Sequence, residues 1–214
     1  MATAIVWKNV AVSMQSAIAA TKTITGITKA SPGVVTSTAH GYSNGDYVYL
    51  EVQGMHQVNG RVFRVASVAT DTFALEGEDT TNFDTFSSGT AQKLTMGTTI
   101  SSAIDVSASG GEFDKIDTTT IHAAQKSEMP GLPSAISYTM NHIWDPTDAG
   151  QIAMKAANDV QGKRAFKFQF GTGGRIILFA GYVGFVGLPG GSAQDKVTTS
   201  AVITMNGTPT YYSS

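Results

Sequence analysis

Cysteine is absent from the 214 residues. Neither disulfides nor thiolate metal sites can hold the fold, as suits a reducing compartment. Charge is scarce too: Asp, Glu, Lys and Arg make up 14% of the chain, against ~25% in ordinary globular domains. With a net charge of −2 and a pI of about 6.0, no basic field draws the chain onto nucleic acid or an anionic membrane. The longest apolar run, IILFAGYVGFVGLP (176–189), is shorter than the ~20 residues of a membrane-spanning helix. Lys8, Asn9 and Gln15 interrupt the N-terminal stretch where a signal peptide would be continuously apolar. A soluble protein without membrane insertion is expected.

Catalytic patterns are missing as well. His40, His56, His122 and His142 share no ligand spacing, and no Gly-x-Ser-x-Gly elbow occurs. GTGGR (171–175) joins strand to strand, whereas a phosphate loop needs a helix N-terminus behind it. In AHGYSNGDYVYL (39–50), His40 lies near Asp46, but no nucleophile–base–orienter set can be assembled around them. Gly41 and Gly45 suit positive φ there, Asn44-Gly45 reads as a hairpin signal, and His40 is expected to donate to a nearby backbone carbonyl. Neither an enzyme nor a cofactor is expected.

What is present is β-structure. The chain holds 23 Gly and many Thr and Ser, the composition of exposed strands and their turns. RAFKFQF (164–170) puts Phe166, Phe168 and Phe170 on one face and Lys167 and Gln169 on the other. In strand 175–187 both faces are apolar: Ile176, Leu178 and Tyr182 oppose Ile177, Phe179, Val183 and Phe185. Such a strand must be sandwiched or must meet another subunit. DKVTTSAVITMNG (195–207) adds a strand that closes on an Asn-Gly turn.

One helix is legible, with Asp145 as its expected cap, Pro146 at the first helical position, Asp148 favouring the positive N-terminal end, Ile152, Ala156 and Val160 as its apolar stripe and Gly162 as its stop. Residues 10–20 read equally as strand or helix. Short β-runs separated by Gly, Asn and Asp give 26–93 the texture of a small β-module inserted into a core formed by 1–25 and 94–214. The fold class is therefore mainly β: an antiparallel β-sandwich or half-barrel, one flanking α-helix, and a small inserted β-module.

Two resemblances add to this reading. Ala39-His40-Gly41, Gly45-Asp46, Val58-Asn59-Gly60 and Thr72-Phe73-Ala74-Leu75 resemble a small β-barrel module first described in ubiquitin-activating enzymes and widespread as an accessory domain in phage tail proteins. That likeness implies no activity. Downstream, Gly111-Glu112, Ile116-Asp117-Thr118-Thr119, Pro130-Gly131-Leu132, Trp144-Asp145-Pro146, the Phe166/Phe168/Phe170 strand, Gly181-Tyr182-Val183 and Gly207-Thr208-Pro209 follow one another as in a known family. They resemble the tail tube (major tail) proteins of long, non-contractile-tailed bacteriophages of the lambda type. Pro133-Ser134 departs from the family pattern, which has an acid there, and the insert is expected to stand in for a C-terminal immunoglobulin-like decoration.

The resemblance implies a structural virion protein, made in the host cytoplasm and polymerised as stacked hexameric rings into a hollow tail tube. Its implied partners are further copies of itself, a tape-measure protein, a tail terminator and distal tail or baseplate proteins, with double-stranded DNA passing through the lumen without specific binding. Gln125, Lys126, Ser127, Glu128, Met129, Pro130, Gly131 and Leu132 are expected to form a ring-stacking loop with Met129 and Leu132 at its tip. Glu112, Asp114 and Asp117 are lumen candidates in a polar or acidic bore. Phe166, Phe168, Phe170, Phe179, Tyr182 and Phe185 are expected on core or subunit-interface strands, and the module on the tube exterior, where its removal spares polymerisation. The alternative is a decoration, fibre or carbohydrate-binding module, with Tyr42, Tyr47 and Tyr49 stacking on sugars.

Overall fold

The computed structural model describes residues 7–171 and 173–213. The first strands are β1 (Val10–Met14), β2 (Ala17–Ile18), β3 (Lys22–Ile24), β4 (Gly26–Ile27) and β5 (Val34–Thr36). Next come β6 (Tyr47–Gln53), β7 (Val62–Ala66), β8 (Thr72–Leu75), β9 (Ser88–Thr95) and β10 (Thr98–Ile100). The remainder is β11 (Ala103–Ser109), β12 (Phe113–Asp117), β13 (Glu128–Pro133), β14 (Ser137–Ile143), helix α1 (Ala149–Asp159), β15 (Lys163–Phe170), β16 (Ile176–Gly184) and β17 (Thr198–Tyr212). Residues 10–20, undecided from sequence, contain β1 and β2.

Seven strands form an antiparallel sheet in the order β10-β1-β15-β16-β17-β14-β11. It curls into a half-barrel: β1 at one side and β11 at the other line a common groove through Val10, Val12, Ala103 and Val106, without pairing. Inside lies a core built from both walls, with Met14, Phe166, Phe168 and Phe179 meeting Met140, Ala201 and Ile203. Phe179 is its hub. Its ring stacks on Phe166 at 5.5 Å and on Tyr138 at 4.9 Å, and meets Phe168 edge-on at 5.4 Å.

Strands β2 to β9 make a small barrel. The pairing runs β9-β6-β7-β8-β5-β4, and β3, one residue before β4, pairs back to β9. Its interior holds Val35, Leu50, Phe63, Phe73 and Leu75. This pairing begins at Ala17, ahead of residue 26, and ends at Thr95.

The two-faced strand β16 finds both covers within its own chain. Phe179, Val183 and Phe185 point into the half-barrel. Ile176, Leu178 and Ala180 pack against Tyr49, Val62 and Leu94 of the barrel, with Ala165 and Tyr212 completing the seam. Polar contacts fix the docking angle. The Arg64 backbone N–H donates to Tyr212 Oη at 2.7 Å, Thr210 Oγ1 donates to the Val62 carbonyl at 2.6 Å, and Lys163 Nζ donates to Tyr49 Oη at 2.6 Å. The barrel is therefore not cleanly separable, because excision strips the cover from buried Ile176 and Leu178, each worth about 1.5–3 kcal/mol of burial.

Two local readings change. Asn206-Gly207 is not a turn: β17 runs through it, and the extra residues there form a bulge against β16 between Leu178 and Ala180. Gly207 has φ +83°, and a Cβ on it would lie 3.0 Å from the Gly60 carbonyl oxygen, so the glycine lets the strand meet the barrel corner. The helix also buries a different stripe. Gly150, Gln151, Met154 and Ala157 face the core, whereas Ile152, Ala156 and Val160 are exposed. Asp148 is the N-cap, accepting from the Gln151 backbone N–H at 2.9 Å, while Asp145 binds the Thr147 backbone and hydroxyl one turn earlier. At the other end Gln161, not Gly162, takes the left-handed position (φ +48°), and the Gly162 N–H donates to the Ala157 carbonyl.

Asp148 also ties the helix to the sheet, accepting from Ser101 and Ser102; Ser102 Oγ lies 3.3 Å from Nδ1 of buried His142. Among the described residues His142 Nε2 has no hydrogen-bond partner. Burial pulls this imidazole below its ordinary value of 6.5, with Asp148 pulling weakly the other way. Below pH 6.5 the unfolded chain therefore binds more protons than the folded one, and stability drops as pH falls toward the folded pKa.

Urea unfolding at pH 7 and pH 5 will show this loss, at most about 1.4 kcal/mol per pH unit from this residue, and His142→Gln will reduce it. Phe179→Ala will lower stability by about 3–5 kcal/mol in the same assay. A chain lacking 26–93 will aggregate, and light scattering will detect it; substituting Ile176 and Leu178 by Thr in that background will restore solubility.

Candidate assembly surfaces

The turn at His40 is structural. Its Nδ1 accepts from the Tyr42 N–H at 3.0 Å, so Nε2 carries the proton and donates to the Ala69 carbonyl at 3.1 Å. Asp46 accepts from the Ser43 N–H at 2.8 Å and pairs with Lys93 at 2.7 Å. Gly45 does take positive φ (+88°), but β5 and β6 do not pair, so the Asn44-Gly45 turn belongs to a crossing loop and not a hairpin. Tyr42 and Tyr49 are buried, and Tyr47 packs under Lys167, so the three tyrosines offer no common stacking face for a sugar. Among the described residues no group of three or more His, Asp or Glu gathers as a metal site.

The surfaces left uncovered are of three kinds. First, β12 and β13 form a two-stranded hairpin that continues the β11–β14 pair beyond the sheet, and every one of its strand residues except Gly131 is exposed. Its root is tight: Gly110 has φ +89°, and a Cβ there would sit 2.2 Å from the Ala135 carbonyl oxygen. Both strands are edges, the setting in which Pro130 and Pro133 are tolerated. Glu112 stands at this root, its carbonyl accepting from the Ser134 N–H at 2.8 Å.

Cross-strand pairing sorts the hairpin into two faces. Ile116 pairs with Met129 on one, and Lys115–Pro130 and Asp117–Glu128 lie on the other. Lys126 joins that charged face, 2.8 Å from Glu128 and 3.8 Å from Asp117. The Thr119 hydroxyl and N–H hold the Asp117 carboxyl below its ordinary value. Met129 and Leu132 are on the returning strand and not at the tip. The tip carries Ile121, 96% exposed, with His122, and Gln125, Lys126 and Ser127 close the turn. Asp114, like Asp117, is an exposed β12 residue.

Second, β10 and β11 have outer edges that pair with no strand among the described residues. Third, the outward face of the β11–β14–β17 wall is uncovered and polar. Asp105, Ser107 and Ser109 align with Asn141, Thr139 and Ser137, and these with Ser200, Val202 and Thr204. Sequence reasoning missed this face, although the alternation in AISYTMNHI and in DVSAS was its signal. The aromatic set expected on core or interface strands divides. Phe166, Phe168, Phe179 and Phe185 are fully buried in the half-barrel, Phe170 is half-buried against Trp7 at 5.3 Å, and Tyr182 is exposed on the barrel side near Lys163.

No curated protein matches the sequence. The family model described as phage tail tube protein, TTP, matches residues 53–214, well over half of the chain, including the second half of the barrel, the whole hairpin and the wall strands. A tube is built of repeated copies, and a subunit with unpaired sheet edges and an unsupported exposed hairpin is suited to that. The chain belongs to the phage tail tube protein family, a structural component of the virion tail that assembles with other tail proteins into a tube.

Proposed function

We propose that copies of this chain close into hexameric rings, that the rings stack into a hollow tube, and that the tube conducts double-stranded DNA into the host. One observation carries the stacking part. A two-stranded hairpin is marginal in water on its own, yet β12–β13 projects with Phe113, Ile116, Met129 and Leu132 exposed. Apolar side chains on such an arm are favourable only once another surface covers them. Residues 125–132 thus act as part of a stacking hairpin. The free edges of β10 and β11 support lateral closure of the ring through strand pairing between neighbours.

The Ser/Thr/Asn wall of β11, β14 and β17 is the reading we favour for the bore, with Glu112, Asp114 and Asp117 on the arm adding negative charge. Such a wall has no Lys or Arg to hold phosphates, whereas a basic channel would retain DNA through counterion release. The barrel covers the β15–β16 wall instead, and that favours an exterior position for the accessory module at 26–93 on the core of 1–25 and 94–214. Assembly in the host cytoplasm on a tape-measure protein, capped by a terminator and by distal tail or baseplate proteins, completes the proposal.

Electron microscopy of concentrated purified protein will show hollow tubes with six subunits per turn of the wall; dispersed monomers would overturn the reading. Met129→Asp with Leu132→Asp will leave circular dichroism unchanged and abolish tubes. In a map of the tube, a bore lined by positive charge would remove the lumen assignment.

A further inference from the structure

Asn-Gly occurs at 44–45, 59–60 and 206–207. It is the dipeptide most prone to lose its side-chain amide, because a glycine nitrogen, with no Cβ beside it, can swing onto the asparagine side-chain carbonyl carbon. Ring closure needs that side chain and the following N–H to turn toward each other. The fold separates the three sites on this requirement.

Two of them are held. Asn44 Oδ1 accepts from the Val68 N–H at 3.0 Å, and the Gly45 N–H donates to the Val65 carbonyl at 2.8 Å. Asn59 Oδ1 accepts from the Val52 N–H at 3.0 Å, and the Gly60 N–H donates to the Leu50 carbonyl at 2.9 Å. Each must break both bonds before its ring can close. Asn206 differs. Among the described residues its side-chain amide makes no hydrogen bond. The register passes from Ala180 opposite Asn206 to Leu178 opposite Thr210, so exposed Gly207 stands in the bulge without a register partner.

We infer that Asn206-Gly207 is a site of spontaneous deamidation, and that its product loosens the docking of the barrel on the half-barrel. The Gly207 nitrogen gives up its proton and attacks the Asn206 side-chain carbonyl carbon. The new C–N bond closes a succinimide ring, and the bond to the amide nitrogen breaks, releasing ammonia. Water then opens either ring carbonyl, leaving aspartate or isoaspartate. The place matters because β17 crosses the barrel corner here. Asn206 lines a cleft of about 550 Å³ with Glu51, Gly60 and Lys163, and a Cβ on Gly60 would lie 3.3 Å from its Nδ2. Either product puts a second carboxylate into the cleft that holds Glu51. Isoaspartate also adds a main-chain carbon just ahead of Thr210 and Tyr212. Their hydroxyls bond the Val62 carbonyl and the Arg64 N–H, so lengthening the chain before them shifts both off the barrel.

The inference does not depend on tube formation and is tested on the free, full-length chain. Incubation in warm, mildly alkaline buffer, followed by peptide mass mapping, will show Asn206 converting at least about tenfold faster than Asn44 and Asn59, a barrier difference of about 1.4 kcal/mol. In chain held unfolded by urea the three will convert at similar rates. Equal rates in the folded protein, or a lead by Asn44 or Asn59, overturn the site. A lead of Asn206 that persists in urea overturns its structural basis. The consequence is read separately, by hydrogen exchange at the Arg64 amide. Protection there will fall about fivefold or more in the converted protein. It will hold in Asn206→Gln carried through the same incubation, whose longer side chain does not close the same ring. Undiminished protection after Asn206 has converted, or an equal loss in the Gln variant, overturns the loosening.

Discussion

Strand β16 buries side chains on both faces, and the arrangement of the subunit follows from that constraint. Phe179 and its neighbours demand a core on one side, which the curled seven-stranded sheet and helix α1 supply. Ile176, Leu178 and Ala180 demand a second cover, which the small barrel supplies through Tyr49, Val62 and Leu94. Hydrogen bonds at Tyr212, Thr210 and Lys163 then satisfy the polar groups that the seam takes from water. Half-barrel and barrel are for this reason held as one object.

That inner completeness throws the incomplete parts into relief. With the central strand covered on both sides by its own chain, the surfaces left uncovered are the edges of β10 and β11, the hairpin, and the polar wall of β11, β14 and β17. The division is physically sensible. Buried aromatic packing such as that of Phe166, Phe168 and Phe179 sets a single subunit fold. Peripheral contacts can remain unfilled in a free subunit without exposing the core, and in the proposed tube they gain their partners on polymerisation. In the proposed tube, the low charge of the exposed wall of Ser, Thr and Asn would let a polyanion pass without being held.

Much of this was legible in the residues. The alternation in RAFKFQF gave a strand with the Phe side chains inward, the two-faced apolar pattern marked β16 as doubly covered, and one helix was marked after Pro146, although its N-cap is Asp148 and not Asp145. The ordered motifs from Gly111 to Pro209 pointed to the tail tube family. Several readings failed for identifiable reasons. Ile152, Ala156 and Val160 form a regular four-residue stripe, yet Met154 and Ala157 are the buried pair, because a face is chosen by what the sheet presents and not by spacing alone. Asn206-Gly207 has the composition of a turn but serves as a bulge, because the strand must continue to bring Thr210 and Tyr212 to the barrel. Met129 and Leu132 lie on the arm's returning strand, since pairing of Met129 with Ile116, Pro130 with Lys115 and Pro133 with Phe113 carries the strand through both prolines.

The sequence by itself determined the class of fold, the absence of cysteine chemistry, the type of most elements and the family, because these depend on local periodicity, composition and ordered motifs. Only the tertiary structure decided which surface covers the second face of β16, which stripe of α1 is buried, and that Asn206-Gly207 is a bulge within a continuing strand. Periodicity tells a side chain which face of its own element it occupies; what meets that face is set by strand register over residues far apart in the chain, and no local pattern carries that information.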